Sequence, residues 1–352
     1  MGQEQSRMPG YRPLIIRGLS IGPPLLLAPM AGLTHSALRT TIQGFGGVGL
    51  LSTEMLAAWR LPRESPRSPF LVRTPGESPL SYQLLVNDPE LVEPAIHALE
   101  PLGAEMIDFN LGCPAPRVRK SGGGCRLVAK PELVRAIIRR ARRATELPLS
   151  AKIRIGERLE EAPLKALCTM LEDEGVDLLT VHARLHKEAF CRKPRWEWVA
   201  RVKEWLSIPV IANGGVDSVA SARQCLEESG ADGLMIGRAA AARPWIFAEI
   251  SAALYSHGEQ PVVSLPGVYH AFAQGLVDRF RPERRLGRLK EFSHYFAENY
   301  PFGHHLASRV QSSRSVAEAL TRAGDFFRAS DAEELERLRL AQGQAFMFEP
   351  GD

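Results

Sequence analysis

Short apolar runs alternate along this chain with longer stretches in which apolar positions recur at helical spacing. Read as strands, the runs fall at Leu25–Pro29, Val48–Ser52, Leu80–Leu84, Met106–Asn110, Leu149–Ile153, Leu178–His182, Pro209–Asn213 and Leu234–Gly237. Amphipathic patterns lie between them, as at Leu133–Thr145 and Pro163–Glu174. Runs that are apolar on both faces belong to strands covered on both sides, which is the mark of a parallel sheet. Eight such units predict an α/β fold of the (β/α)8 TIM-barrel type rather than an open doubly wound sheet. The run ends carry Glu54, Gln83, Asn110, Lys152, His182, Asn213 and Arg238, all capable of chemistry. In a (β/α)8 barrel these ends converge on the C-terminal face of the strands, where the site is expected.

The pattern changes after Trp245-Ile246-Phe247. From about Val263 the chain reads as amphipathic helix, with breaks at Arg281-Pro282 and Tyr300-Pro301-Phe302-Gly303. The expected organisation is an N-terminal extension at 1–20, a barrel at 21–255, a helical domain at 256–330 and an acidic tail at 331–352. Between Arg279 and Arg328 ten Lys/Arg face five Asp/Glu, whereas the tail from Asp331 has six acidic residues against two basic. The helical domain is therefore more basic than the whole-chain net charge of +4 suggests. Mild basicity permits a nucleic-acid partner without requiring one. No stretch approaches the roughly 20 apolar residues of a membrane span, and the N-terminus lacks the apolar core of a secretory signal. Five cysteines without regular spacing argue against a disulfide framework and for a reducing cytoplasm. With neither a CxxC pair nor HExxH, no metal site is expected.

The densest chemistry lies between Asp108 and Cys125. Asn110 closes a strand, and Gly112-Cys113-Pro114 opens a loop at the barrel mouth. Cysteine is usually a small buried hydrophobe. Cys113, however, sits outside any periodic pattern, near Arg117, Arg119 and Lys120, a setting that exposes and activates a thiol. Cys125, Cys168, Cys191 and Cys225 read as structural. The Ser121-Gly-Gly-Gly124 run lacks the spacing of a phosphate loop and reads as flexible. Asn213-Gly214-Gly215 and Gly237-Arg238 end the last two strands, where barrels often bind phosphate through backbone N–H groups, so a phosphate-bearing cofactor is expected. Lys152 lies in an apolar strand, where a charge facing the helix layer would be costly. Facing inward it would neutralise an anionic ligand, and Arg154 on the same face is the alternative. His182 fits either a core histidine or the site, and its strand-end position favours the site.

Taken together, Leu27-Ala-Pro-Met-Ala-Gly32, Ser52-Thr-Glu-Met55, Asn110-Leu-Gly-Cys-Pro114, Ser121-Gly-Gly-Gly124, Ala151-Lys-Ile-Arg154, Val181-His-Ala-Arg184, Ile211-Ala-Asn-Gly-Gly215 and Met235-Ile-Gly-Arg238 resemble the tRNA-dihydrouridine synthases. The resemblance runs from about Leu25 to Leu320. It implies an FMN-containing barrel and a helical domain that grips tRNA, with NADPH (or NADH) as reductant. The implied reaction reduces the C5–C6 bond of uridine in the D-loop, with hydride passing from flavin N5 to C6 and a proton from Cys113 to C5. A thiol suits the acid role because it stays largely protonated at neutral pH and still donates readily. By the same resemblance Asn110 holds the target base, and Pro29, Met30, Ala31, Gln83, Lys152, His182, Asn213, Gly214, Gly215, Gly237 and Arg238 hold FMN. Charge in the helical domain assigns tRNA contacts to Arg284, Arg285 and Lys290. A monomer is expected.

The segment Arg184-Leu-His-Lys-Glu-Ala-Phe190 departs from the family pattern at Leu185 and Glu188, and Cys125 stands where the family usually has Ala. Arg288–Tyr300 resembles the bacterial branch that modifies position 16. The competing readings are an FMN-dependent reductase of a free pyrimidine or of uridine in another RNA, and an RNA-binding protein that keeps the barrel without turnover. The basic helical domain argues against a free pyrimidine, which would not need it, and Cys113, Lys152 and the phosphate-binding strand ends argue against a protein without turnover.

Overall fold

A computed structural model describes residues 12–345, with side chains as far as Asp331. Residues 1–11 of the expected extension and 346–352 of the expected tail lie outside the described residues. The chain divides into two compact units, Met1–Val262 and Val263–Asp352.

The first unit opens with a hairpin, β1 (Leu14–Ile16) and β2 (Leu19–Ile21), followed by β3 (Leu25–Leu27), β4 (Leu51–Ser52), β5 (Leu56–Ala57), β6 (Leu80–Leu85), β7 (Met106–Asn110), β8 (Leu149–Arg154), β9 (Leu178–His182), β10 (Val210–Asn213) and β11 (Gly233–Ile236). Eight parallel strands run in the order β3-β11-β10-β9-β8-β7-β6-β4, and β5 adds to the end of β6. A parallel bridge between Leu26 and Leu50 brings the ring round to a nearly closed (β/α)8 barrel. The helices expected at Leu133–Thr145 and Pro163–Glu174 are found at Pro131–Ala144 and Glu161–Asp173. Pro131 suits a helix start because its missing N–H would have had no intrahelical partner there.

The strand expected at Val48–Ser52 shrinks most, to Leu51–Ser52, while Leu25–Pro29 shortens to Leu25–Leu27 and Pro209–Asn213 to Val210–Asn213. Gly49 lies so close to the preceding turn that a Cβ would fall 1.9 Å from the Pro23 carbonyl oxygen. This crossing is held by single bonds, such as Gly49 N–H to Leu25 O at 2.8 Å, in place of a regular ladder.

Alternation along the strands turns Leu26, Leu50, Met106, Leu178, Ile211 and Met235 into one buried cluster with Ile16 and Ile21 of the hairpin. The hairpin is the element that the extension assignment at 1–20 missed. Its signal was present in Leu14-Ile-Ile-Arg-Gly-Leu-Ser-Ile21, where apolar residues flank Arg17-Gly18. Both turn residues take positive φ, 47° and 86°, as a two-residue hairpin turn demands. Its apolar face joins Ile16 and Ile21 to the barrel's interior cluster, leaving the polar strand ends for the site.

The second unit is helical: Leu265–Arg279, Pro282–Phe296, Gly303–Gln311 and Val316–Ala345. Its core is aromatic. Phe272 stacks on Phe292 at 3.7 Å between ring centroids, and the buried Tyr269 hydroxyl hydrogen-bonds Ser293 at 2.7 Å. The last helix continues through residue 331, where a tail was expected to begin. Its Glu-, Leu- and Arg-rich sequence has high helix propensity, so a change of charge does not end the helix.

Candidate active site

Strand alternation places Gln83 on β6, Asp108 and Asn110 on β7, and Ser150, Lys152 and Arg154 on β8 among inward positions. Ser150, Asp108, Gln83 and Asn110 form a continuous hydrogen-bonded chain that ends at the Cys113 backbone. Asp108 accepts from Ser150 Oγ at 2.7 Å and from Gln83 Nε2 at 2.6 Å. Gln83 Oε1 accepts from Asn110 Nδ2 at 2.8 Å, and Asn110 Oδ1 accepts from the Cys113 N–H at 3.0 Å. Both Asp108 carboxyl oxygens act as acceptors here, so Asp108 sets the direction of every bond that follows. The Gln83 amide must point its NH2 inward, which leaves its carbonyl for Asn110, whose own carbonyl then tethers the Cys113 loop. Burial raises the Asp108 pKa, opposed by the Ser150 and Gln83 hydrogen bonds and by the Lys152 charge. Asp108 was not among the expected site residues. The spacing Met106, Asp108, Asn110 on one strand face would have found it.

Lys152 points inward, and its Nζ donates to Asn213 Oδ1 at 2.7 Å. Asn213 Nδ2 in turn donates to the Met235 carbonyl at 2.7 Å. Asn213 thus fixes the lysine from β10. Burial pulls the Lys152 pKa down to about 8; Asp108 pushes it up and Arg154 lowers it further. Arg154 also faces inward, donating to the Leu185 carbonyl at 2.7 Å.

His182 Nε2 lies 3.0 Å from Arg184 Nη1. Arginine has no acceptor, so the imidazole accepts through Nε2 and is neutral. Burial is the main force lowering its pKa, reinforced by Lys152, Arg154, Arg184 and Arg238. The ring stacks parallel to Phe190 at 6.0 Å, and the Arg238 guanidinium carbon lies 4.5 Å from the Phe190 centroid. The loop carrying Phe190 is pinned by Glu188, which accepts from Leu185 N–H and binds Arg195 at 2.6 and 2.7 Å. The Arg195 hydrogen bond is the chief cause that takes the Glu188 pKa down to about 2. Glu188, one of the residues at which the segment departs from the family pattern, therefore has a local structural task. Gly214 and Gly215 adopt φ of 105° and 75°, in the left-handed region. A Cβ on Gly214 would lie 2.7 Å from His182 Cδ2, so glycine is required for the loop to pass over the imidazole.

The remaining cofactor-side residues come from neighbouring loops. Pro29 and Met30 are half-buried and Ala31 is exposed after β3. Gly237 abuts this segment, since its Cβ would be 3.4 Å from Met30 Sδ. The turn is anchored by Thr34 Oγ1, which accepts from Met30 N–H at 3.0 Å, and more deeply by the buried pair Arg39–Glu77 at 2.5 Å. Arg39 also donates to the Thr34 carbonyl at 2.7 Å and the Val72 carbonyl at 2.8 Å. Arg238 is exposed at the mouth.

In the second unit Arg284 is exposed and Lys290 half-buried. Arg285 differs: its guanidinium donates to the Phe280 carbonyl at 2.6 Å and the Val277 carbonyl at 2.8 Å, closing the end of the preceding helix. Cys125, Cys168 and Cys225 are buried, but Cys191, expected to be structural, is exposed because it lies in the loop after β9. Among the described residues no group of three or more His, Cys, Asp or Glu could hold a metal, and no helix is long and apolar enough to cross a membrane.

A barrel whose strand ends gather a neutral histidine, inward cations and a loop cysteine has the architecture of a (β/α)8 enzyme. The dihydrouridine synthase (Dus) family model matches residues 26–340, and the chain belongs to that family. It is 36% identical over 289 residues to a tRNA-dihydrouridine(16) synthase of Pseudomonas putida, covering 79% of this chain and 89% of that one. It is also 34% identical to tRNA-dihydrouridine synthase B of Pseudomonas aeruginosa, over 72% of this chain and 76% of the other. Among solved structures, a 2-naphthoyl-CoA reductase complex matches with a TM-score of 0.55 at 10% identity, covering 69% of this chain and 52% of that one. Histamine dehydrogenase from Rhizobium sp. 4-9 matches with 0.54 at 10% identity, covering 75% and 50%. The chain thus spans about half of each of these longer proteins, with which it shares the fold.

Proposed function

We propose that this chain reduces uridine in tRNA to 5,6-dihydrouridine, with FMN as the bound cofactor and NADPH as the reductant. The observation that carries the reading is the strand-end cluster: the inward Lys152 and Arg154, Arg184 3.0 Å from the neutral His182, and Arg238 over Phe190 gather with the Cys113 loop that Asn110 tethers. An anionic ligand suits so cationic a mouth, and the residues present fit a phosphate-bearing flavin. Gly214, Gly215, Gly237 and Arg238 would hold the phosphate, and Lys152, held by Asn213, would face the anionic edge of the ring. Gln83, His182 and the Pro29–Met30–Ala31 turn would complete the seat. When bound, FMN supplies hydride chemistry that no side chain here can provide.

The residues of the chain have separable tasks. Asn110 has one N–H beyond the bond to Gln83, directed by the Asp108 network, and this N–H orients the uracil. Cys113 Sγ delivers a proton to C5 as negative charge develops there. The ammonium of Lys152 stabilises negative charge at the reaction centre. The base must leave its stack to reach the mouth, which costs a few kcal/mol. Basic residues of the second unit, Arg284 and Lys290 among them, offset this by binding phosphates. Arg285, expected as a third contact, is already engaged with two carbonyls, and its part is to shape the helix junction. Position 16 is the favoured target, and a monomer in the cytoplasm the favoured setting.

The test is nucleoside analysis of unmodified tRNA after incubation with the purified chain, FMN and NADPH, mapped by position. New dihydrouridine supports the reading, and its position identifies the target. A yellow protein that oxidises NADPH yet leaves tRNA unchanged, while reducing uracil or orotate, would replace it with the small-pyrimidine reading.

A further inference from the structure

A hollow that no step above uses lies beside the Cys113 loop. It measures about 370 Å³ and is walled by Pro114, Ala115 and Arg119 after β7, Glu157 after β8, and His186 and Lys187 after β9. A second hollow of about 440 Å³ shares Arg119, Glu157 and His186 and continues past Arg154. His186 is 6% exposed, and neither ring nitrogen has a hydrogen-bond partner among the described residues. Its backbone N–H is fixed to the Gly156 carbonyl at 2.8 Å, and the residue lines both hollows. Leaving a buried polar group unsatisfied costs about 1–3 kcal/mol, which calls for a partner that arrives from outside.

The chemistry of the rim indicates that partner. Arg119 and Lys187 are exposed cations with no ion pair among the described residues. Burial is the main cause lowering the His186 pKa. A neutral imidazole presents one donor and one acceptor, the complement of a nucleobase edge, and the flanking cations complement a phosphate.

We propose that this hollow is a nucleotide subsite in which His186 hydrogen-bonds the base, and Arg119 and Lys187 bind the phosphate, of an RNA residue flanking the target uridine. The proposal rests on the reading of the chain as a tRNA-modifying enzyme. Both nitrogens are shielded in the free chain, so engaging them requires the wall at Pro114–Ala115 or the turn at Lys187–Ala189 to yield. Pro114 and Ala115 directly follow Cys113, so occupation of the subsite is coupled to placement of the proton donor. His186 lies between Leu185 and Glu188, the two positions at which this segment departs from the family pattern.

The experiment compares the flavin-loaded parent with His186→Phe, His186→Gln and the surface double variant Arg119→Ala/Lys187→Ala. Each is assayed for tRNA affinity, tRNA KM and NADPH KM, with bound flavin content as the check on folding. Removing the hydrogen bonds to the base should raise the tRNA KM about tenfold in His186→Phe, with most of it recovered in His186→Gln, which again offers a donor and an acceptor. The double variant should weaken tRNA binding and flatten its salt dependence, by a slope of about 0.7 for each phosphate it no longer neutralises. An abasic residue beside the mapped uridine should impair the parent about as much as His186→Phe does, with no further loss when the two are combined. Additive losses at both flanking positions, or a tRNA KM within twofold of the parent in His186→Phe and unchanged affinity in the double variant, would overturn the subsite. A raised NADPH KM with an unchanged tRNA KM would assign the hollow to the dinucleotide and likewise overturn it. Absence of dihydrouridine with the parent itself would instead remove the reading on which the proposal stands.

Discussion

Replacing Lys152 by methionine removes a buried ammonium while keeping an unbranched side chain of similar length. The Lys152 pKa falls from 10.5 to about 8 on folding, chiefly through burial. Below pH 8 both folded and unfolded chains hold the proton, and the folded chain bears the desolvation cost. As pH rises through 8 the folded chain releases the proton, whereas the unfolded chain keeps it until about 10.5. The unfolded state then binds more protons, so this lysine's contribution to stability increases with pH across that window. At about 1.4 kcal/mol per pH unit the full change is about 3 kcal/mol. Against this, Lys152→Met leaves Asn213 Oδ1 without its 2.7 Å donor and Asp108 without a nearby cation. At pH 7 the losses and the relief oppose each other, and the variant should lie within about 2 kcal/mol of the parent. The assay is urea unfolding followed by tryptophan fluorescence, because all five tryptophans, at 59, 196, 198, 205 and 245, fall in the barrel unit. The parent-minus-variant stability should rise by about 3 kcal/mol between pH 8 and 10.5, other titrations cancelling in the difference. In an Asp108→Asn background the charge that raises the lysine pKa is gone, so the rise should begin below pH 8. A difference that stays flat, or falls with pH, would refute the burial of a desolvated ammonium at this position.

Cys113→Ala should retain yellow cofactor and NADPH oxidation while dihydrouridine formation falls at least 100-fold, within the range of lost acid–base catalysis, about 10²–10⁴; full activity would remove the thiol from the acid role. Arg39→Met leaves the fully buried Glu77 without its cation and should destabilise the barrel by about 3–5 kcal/mol. The same variant should loosen the turn at Pro29–Ala31 and weaken flavin retention, measured by equilibrium dialysis. Charge reversal at Arg284 and Lys290 should weaken tRNA binding, with a salt slope lower by about 0.7 per phosphate released, and leave NADPH oxidation by the flavin intact. Unchanged affinity would shift the tRNA contacts to other basic residues.

Much of this protein was written in local pattern. Runs such as Leu25–Leu27 and Val210-Ile211-Ala212 are apolar at successive positions, so both faces are covered, as in a parallel sheet. Strand-end placement marked Gln83, Asn110, Lys152 and His182, because the period of two fixes which residues face inward once a strand is located. The short β4 was less legible, since its pairing depends on how closely Gly49 approaches Pro23, a contact between different turns of the chain. The hairpin at Leu14–Ile21 had a readable turn, but its apolar face acquires a purpose only against Met106, Leu178 and Ile211. The sequence by itself determined the residue types, the strand periodicity and therefore the barrel. Only the tertiary structure decided which polar groups meet: Asp108 directing Gln83 and Asn110 toward the Cys113 loop, Arg285 turned to two carbonyls, and His186 enclosed without a partner. Hydrophobic periodicity is a property of neighbours along the chain, whereas a hydrogen bond's direction is set by groups that only folding brings within about 3 Å of each other.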